Sequence, residues 1–467
     1  MQYVKKNQSR STGYFIMIMK LALPIIIQGL VFQLQAVVNK SFLGKLDTNY
    51  LSAVGVAQFP FFTSTDALMA ICTGLTIVVA HKFGASKLKE IHESVNASIA
   101  FNMIFSLLLF ALWFLFPDTI FSLMNVDDTL VHHCNDYVRI LSYFFLLFGI
   151  DISLQETLQG MGKTKQIMYV GLIKIGLNIL LDWILIFGKF GLPAMYIKGA
   201  AWATTISNVI GTILLLAYFI VSKELSANLK LKEILRFRWS LYKEIIHYGL
   251  PTCIEFTLWN ISNLILISLL NKQGVTVVAI FTVTFAIELF VYKIFNGIAK
   301  ATLTLVGNCI GAGNEKATNN IMNSSIRYSF AFVTIFCIIF AIIPKPILAI
   351  FTNDKELIEM SVFYLIARAV TMFPKTLNVV VGSGIRARGD VKWMLYTQLI
   401  GSIFVVAFSY SLIHIFQVGA FAIYMTLFMD ELLRATLNTL RFYKGNILVI
   451  RKNRGHEKQE RPIKSET

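Results

Sequence analysis

The stretch FGASKLKE, Phe83 to Glu90, returns later in the chain as IGAGNEKA, Ile310 to Ala317, and that return decides the architecture. Moving outward from it, Pro24 and Pro251, Gly84 and Gly311, and Gly162 and Gly389 sit in similar local sequence and share one separation, 227 positions. Asn96-Ala-Ser answers Asn323-Ser-Ser at the same distance. A later pair, Gly199-Ala200 and Gly419-Ala420, is 220 apart, so the second copy has lost a few residues in between. Each copy is apolar and long enough for half a dozen membrane spans. Duplicated halves with a site between them are a common construction for secondary transporters.

A chain of 467 residues that is 56% hydrophobic and only 15% charged, with mean hydropathy +0.66, is too apolar to be soluble at this length. The apolar runs recur at roughly the 20 residues a helix needs to cross the hydrocarbon core, without the alternation of a barrel. Twelve are expected, at about 14–38, 53–80, 95–116, 137–160, 166–188, 198–222, 246–271, 276–307, 324–343, 361–385, 393–415 and 418–441. The fold class is therefore all-α integral membrane, with twelve helices in two six-helix lobes. Six spans per copy is an even number, so the copies share one orientation and are related by an axis along the membrane normal. The expected divisions are residues 1–222 for the first lobe, 223–245 for a basic linker with Lys230, Lys232, Arg236 and Arg238, 246–442 for the second lobe, and 443–467 for a basic tail. The polar stretch from Arg451 to Thr467 reads as disordered.

Lys5, Lys6 and Arg10 precede the first span, but the apolar run is too long for a signal peptide and no small-residue cleavage site follows, so it stays as the first helix. Lys82, Lys87 and Lys89, then Lys163 and Lys165, then Arg386, Arg388 and Lys392 fall in alternate loops, which places those loops and both termini in the cytoplasm. The intervening loops carry Asp118, Asp127, Asp128 and Asp136, or Asp354, Glu356 and Glu359. A multi-pass plasma-membrane protein is expected. Net charge +16 follows from the short basic loops and tail, pointing to anionic lipid headgroups rather than nucleic acid. Five scattered cysteines, with only Cys134 on the outer side, offer no disulfide framework or CxxC site.

Ionisable residues inside spans are costly and face a cavity or each other. In the fifth span Lys174, Asn178 and Asp182 stack on one face at i, i+4 and i+8. Such a face can take and release H⁺ or Na⁺; the alternative is a static Lys174–Asp182 pair bridged by Asn178. In the first span Gln28, Gln35 and Asn39 share a face beyond Pro24, a proline that removes a backbone hydrogen bond and creates a bend point. Polar glue between helices reads equally well for the glutamines. The seventh span repeats the proline at Pro251 and aligns Glu255, Trp259 and Ser262, suited to a cationic planar ligand or to pairing with a basic residue. Arg368, Thr371, Lys375 and Asn378 form a basic stripe in the tenth span, and Asp151 with Gln155 an acidic one in the fourth; the two stripes pair across the lobes or touch substrate. Asp430 and Arg434 read as a structural salt bridge. Asp66, Glu288 and Lys293 have no partner on their own helix and are left unassigned.

HExxH, GxSxG, Walker A and spaced His/Cys clusters are all missing, and His132-His133 reads as a solvated surface pair. No catalytic residue, metal site or cofactor is expected. No soluble segment is long enough to bind nucleotide, which leaves an ion gradient as the energy source.

The words LALPIIIQ (Leu21 to Gln28), FLGKLDTNYLSAVGVA (Phe42 to Ala57), the FGAS and IGAGN turns, LQGMGKTK (Leu158 to Lys165), NILLDWILIFG (Asn178 to Gly188) and IKGAAWATTISN (Ile197 to Asn208) resemble the multidrug and toxic compound extrusion (MATE) family, over roughly residues 14–441. The resemblance implies a V-shaped pair of lobes opening alternately inward and outward, and export of amphipathic, often cationic compounds in exchange for H⁺ or Na⁺. It assigns Asn178, Asp182 and Thr204 to cation binding and Pro24 to helix bending. The family's acid at the end of the first helix is Asn39 here. Cation coupling is thus expected at Asp182, Asn178, Lys174, Asn39 and Thr204, substrate contact at Glu255, Trp259, Gln35, Lys375 and Asn378, and hinges at Pro24 and Pro251. The expected partners are small amphipathic molecules and lipids, and the expected state is a monomer. Two rivals are a lipid-linked oligosaccharide flippase, whose pyrophosphate would suit Lys174, Arg368 and Lys375, and a transporter-derived scaffold or receptor that moves nothing.

Overall fold

The computed structural model describes residues 11–44, 46–222 and 231–459, and every regular element among them is a helix. The first lobe holds α1 (Ser11–Gly44), α2 (Thr48–Gly84), α3 (Leu88–Leu115), α4 (Pro117–Leu123), α5 (Asp128–Ser142), α6 (Phe145–Gly160), α7 (Thr164–Phe187) and α8 (Tyr196–Val221). After the short α9 (Leu231–Ile234), the second holds α10 (Trp239–Asn271), α11 (Val275–Gly311), α12 (Glu315–Ile342), α13 (Pro344–Leu348), α14 (Lys355–Ala387), α15 (Val391–His414) and α16 (Phe421–Gln459). Among the described residues ten helices are long and apolar enough to cross a membrane, and α5 with α6 forms a bent eleventh span. The last helix takes the twelfth place while carrying Asp430, Glu431 and Arg434.

The duplication governs detail that apolar runs do not reveal. Helices α2 and α11, and α7 and α15, begin and end at positions 227 apart. So do the openings of two short helices, where Pro117 and Pro344 sit in the first turn, a position in which the missing N–H costs nothing. Asp127 caps α5 by accepting from Thr129 N at 2.9 Å, and Asp354, 227 residues on, caps α14 by accepting from Glu356 N at 3.0 Å and Leu357 N at 3.2 Å.

Three expectations change. The fourth span, expected at 137–160 as one helix, starts at Asp128 and bends by 54° between α5 and α6. Ser142 Oγ donates to the Arg139 carbonyl at 2.7 Å and Ser106 donates to the Phe145 carbonyl, while the residues between close three-residue turns, so side chains satisfy the backbone where the ladder breaks. Cys134 and His132, expected in a loop, therefore stand on α5, with Cys134 buried and His132 facing Asp136 at 3.4 Å. The linker is shorter than expected, since α10 begins at Trp239 and Arg238 pairs with Glu233 at 2.9 Å and Glu93 at 3.3 Å. At the other end the backbone of α16 stays helical to Gln459, past Arg451, where disorder was expected. Lys5, Lys6, Arg10, residues 223–230 and the last residues of the tail lie outside the described residues.

The lobes meet at the end bearing the basic turns. A Cβ on Gly84 would stand 2.0 Å from the Asn308 carbonyl oxygen, and one on Gly311 would stand 2.0 Å from that of His81. The same contact is thus made twice, once from each copy, and only glycine allows backbones so close. Gly74 meets Ile245 and Gly249 meets Ile71 in the same way along α2 and α10. Interlobe hydrogen bonds gather here: Gln159 Nε2 donates to Thr304 Oγ1 at 2.9 Å, Tyr242 donates to Asn102 Oδ1 at 2.7 Å, and Lys82 reaches Glu244 at 3.2 Å. Helix α1 joins the two sides, packing on α7 in its own lobe and on α11 in the other, where Ile26 fills the space beside Gly297.

Candidate functional site

In the first lobe α7 supplies Asn178, 1% exposed, and Asp182, 0% exposed; α1 supplies Gln35 and Asn39, and α8 supplies Thr204. The polar stripe of α7 turns inward here, because in a bilayer its side chains find polar partners only on neighbouring helices. Asn178 is the hub. Gln35 Nε2 and Asn39 Nδ2, the latter at 3.0 Å, reach its amide, and Thr204 Oγ1 lies at 3.3 Å. Turning the Asn178 amide satisfies both its ends: the nitrogen then donates to Asp182 Oδ2 at 3.1 Å and the oxygen accepts from Thr204 N at 3.2 Å. Asn39 Oδ1 is buried without a partner. Asp182 Oδ1 is buried without any partner. An unpaired carboxylate oxygen in a dry site is one that a proton or a small cation would satisfy.

Lys174 does not belong to this group. Two turns from Asp182, its ammonium runs to α6 and meets both oxygens of Asp151 at 2.9 Å, with the side chain lying over Gly211. Asp151 also accepts from Gln155 Nε2 at 2.6 Å and Thr212 Oγ1 at 3.2 Å, so the pair is closed within the lobe. The stripe was correctly placed on one face, yet eight residues of helix span about 12 Å. Another helix offered the nearer acid.

The second lobe is built of ion pairs. Glu288 on α11 accepts from Arg368 and, at 2.5 Å, from Lys375, both on α14. Glu255 on α10 pairs with Arg386 at 2.5 Å; Arg386 was expected in a loop and stands in the last turn of α14. Arg434 bridges Asp430 at 2.7 Å, Glu431 at 3.3 Å and Gln398 at 2.6 Å. Asn378 donates to Glu431 at 2.8 Å and accepts from Asn438 at 2.8 Å. The acidic stripe of the fourth span and the basic stripe of the tenth therefore do not pair across the lobes; each finds its counter-charge at home. Of the residues expected to meet substrate, Trp259 and Lys375 line a chamber with 40 Å³ open to water, Glu255 is tied to Arg386, Asn378 is held in the network, and Gln35 sits in the first lobe's amide cluster. Glu288, left unassigned, has no counter-charge on its own helix face, and only the contact between helices gives it a role; Glu431, which was not singled out, pairs with Arg434 one turn on and is joined to α14 through Asn378. Pro24 and Pro251 both lie inside continuous helices, as do Pro60 and Pro374.

A profile of the MatE family matches residues 24–184 and 251–411, two segments that are themselves 227 apart. The chain belongs to the MatE family. A probable multidrug resistance protein NorM of Thermotoga maritima is 27% identical over 430 residues, covering 92% of each chain. The multidrug export protein MepA of Staphylococcus haemolyticus is 25% identical over 379 residues, 79% of each. Among solved structures, a MATE transporter in a bent conformation superposes with TM-score 0.87 at 20% identity, over 97% of this chain and 99% of that one. An outward-facing multidrug resistance MATE transporter gives 0.86 at 20% identity, over 95% and 98%. Members of the MatE family are transporters, so the buried amide cluster of the first lobe and the chamber of the second belong to a multi-pass membrane protein of multidrug-efflux type, in the two-lobe MATE fold.

Proposed function

We propose that this MatE protein exports amphipathic compounds in exchange for H⁺ or Na⁺ by alternating access, with Asp182 as the coupling carboxylate. The unpartnered Asp182 Oδ1, fully buried beside Asn178, carries the reading. A cation arriving there changes what Asn178 can offer to Gln35 and Asn39, and both of those stand on α1. Because α1 packs on α7 and on α11, its displacement about Pro24 transmits the occupancy of one lobe to the seam between both. The seam moves only by the difference in ion and substrate affinity between its two states. Asn39, in place of the family's first-helix acid, leaves one carboxylate in the cluster, which fits one cation per cycle. With the basic turns and both termini in the cytoplasm of a plasma-membrane monomer, the glycine seam closes the inner side and the second lobe's chamber faces out. The three cations that suited a flippase, Lys174, Arg368 and Lys375, are all held by acids, which removes much of the ground for a pyrophosphate. Efflux of a fluorescent amphiphile from vesicles under an imposed pH or Na⁺ gradient tests the reading: gradient-driven transport supports it, and transport that ignores both gradients overturns it.

A further inference from the structure

Asp66 is the middle residue of α2 and Lys293 the middle residue of α11, so one repeat position carries an acid in the first lobe and a base in the second. The two attract each other across the cleft, yet among the described residues neither makes a direct ion pair. Two turns nearer the inner end the arrangement recurs, with Glu156 of α6 drawn to Lys300 of α11. The first lobe thus presents acids to the cleft and the second presents cations. Glu156 is already held by the Thr76 hydroxyl. Asp66 is not covered: it is exposed, and Phe62 and Met69, one turn to either side on the same face, are 38% and 37% exposed.

A charge at mid-bilayer is tolerable while the cleft around it admits water. Closing the cleft strips that water away, and an acid buried alone is strongly disfavoured. Lys293 is the counter-charge that closure would deliver to Asp66, and Lys300, which repels it from below on its own helix, favours that direction. Lys293 is also laid against α1. Its stem runs past Gly29, where a Cβ would stand 3.5 Å from Lys293 Cδ, and at the adjoining residue the Gln28 amide fills the space beside Gly171 of α7. One stretch of α1, just beyond Pro24, therefore touches both the lysine of the second lobe and the helix that carries Asp182 in the first.

We propose that Asp66 and Lys293 are the positioning pair of the transport cycle, standing apart while the outer cleft is open, meeting as a direct ion pair when it closes, and set by α1, on which Lys293 rests. The proposal rests on the alternating-access reading and names how the state of the Asp182 site reaches the opposite lobe.

Distances between spin labels at Asn49 and Thr276, equivalent exposed positions at the outer ends of α2 and α11, test it in the purified protein in detergent, without gradient or substrate. The wild type is expected to show a long and a short population, the open and the closed cleft. Asp66→Asn and Lys293→Gln should each lower the short population about threefold, the worth of one partly exposed ion pair. The exchanged variant, Asp66→Lys with Lys293→Asp, should restore it, which a merely structural role for either side chain would not do. Raising KCl to about 1 M screens the attraction, should imitate the single variants, and decides the matter if the exchanged variant does not fold. A single population in the wild type, populations indifferent to salt or to the single substitutions, or an exchanged variant that folds and does no better than either single one overturns the proposal. Unchanged populations with weakened binding of a fluorescent amphiphile would make the two residues substrate contacts instead. Because no ion gradient enters the measurement, efflux that ignores imposed gradients would sink the antiport reading and leave this result standing.

Discussion

The two lobes share a scaffold over most of their length, at a constant separation of 227 positions, and differ in what they bury. The first closes one ion pair, Lys174–Asp151, and leaves a single acid among amides; the second knits four acids and four cations together. Position 182 of the first lobe becomes Ser409 in the second, also 0% exposed, and Asn178 becomes Val405. Where the helix pairs α7–α8 and α15–α16 cross, the charge has changed helices: Lys174 lies over Gly211 in one copy, whereas Gly401 receives Asp430 and Arg434 in the other. In both crossings a glycine makes room for the partner's long side chain. Duplication set where helices run, and each copy then filled its interior separately.

The comparison breaks hardest at Asp182. Asp182→Asn preserves the shape and the hydrogen bond with Asn178 but cannot exchange a cation, so gradient-driven efflux should fall to the level of empty vesicles with the thermal midpoint nearly unchanged. Adding Ser409→Asp should not restore it, because Val405 offers no amide; recovery of efflux in that double variant would show the lobes to be interchangeable. Next in size is the second lobe's network. Glu288→Gln leaves Arg368 and Lys375 in a dry site without their acid, and removing one partner of a buried pair typically costs about 3–5 kcal/mol. Thermal unfolding in detergent should show a large drop in midpoint.

The span count, the duplication and the polar stripe of the fifth span were legible because each is a one-dimensional pattern, of length, spacing or helical period. Asn178, Asp182 and Asn39 were found in this way, Thr204 through the family resemblance, and the four do converge. What escaped was choice of partner. Lys174 has an acid on its own face, yet bonds to Asp151 of another helix; Glu288 has no partner on its own helix and bonds to two cations of α14. Asp66 and Lys293, left unassigned, occupy one repeat position in the two copies and attract each other across the space between the lobes. A helical wheel reports which face a residue shares, and the helix crossing decides whom it meets. The bend in the fourth span escaped for a similar reason, since no proline marks it and the serines that satisfy its backbone look like ordinary ones.

A smaller effect tests the seam, the one place where the copies must act alike. Gly84→Ala and Gly311→Ala each drive a methyl into a carbonyl of the opposite lobe at 2.0 Å. Overpacking of this kind costs about 1–3 kcal/mol, felt only when the seam is closed. Spin labels across the seam, at Lys87 and Lys316, should move apart by similar amounts in both variants. A response in one variant alone would mean that the two halves of the seam do not bear equally on closure.

The smallest effect lies at the caps. The hydroxyl and backbone N–H of Thr129, both bonded to Asp127, hold its carboxyl below the usual aspartate range. A carboxylate whose folded pKa is lowered contributes stability that is fully present above the ordinary aspartate value of about 4 and is lost as pH falls through the lower folded one. Asp127→Asn keeps an acceptor for the Thr129 N–H and removes the titration, so the variant's thermal midpoint should match the wild type's less closely near neutrality and converge with it in acid. Asp354→Asn, at the same repeat position, replaces an acceptor shared by two backbone N–H groups with no hydroxyl bonded to it. If midpoints of the two variants follow identical pH curves, the Thr129 hydroxyl adds nothing, and the caps are as interchangeable as the helices they begin.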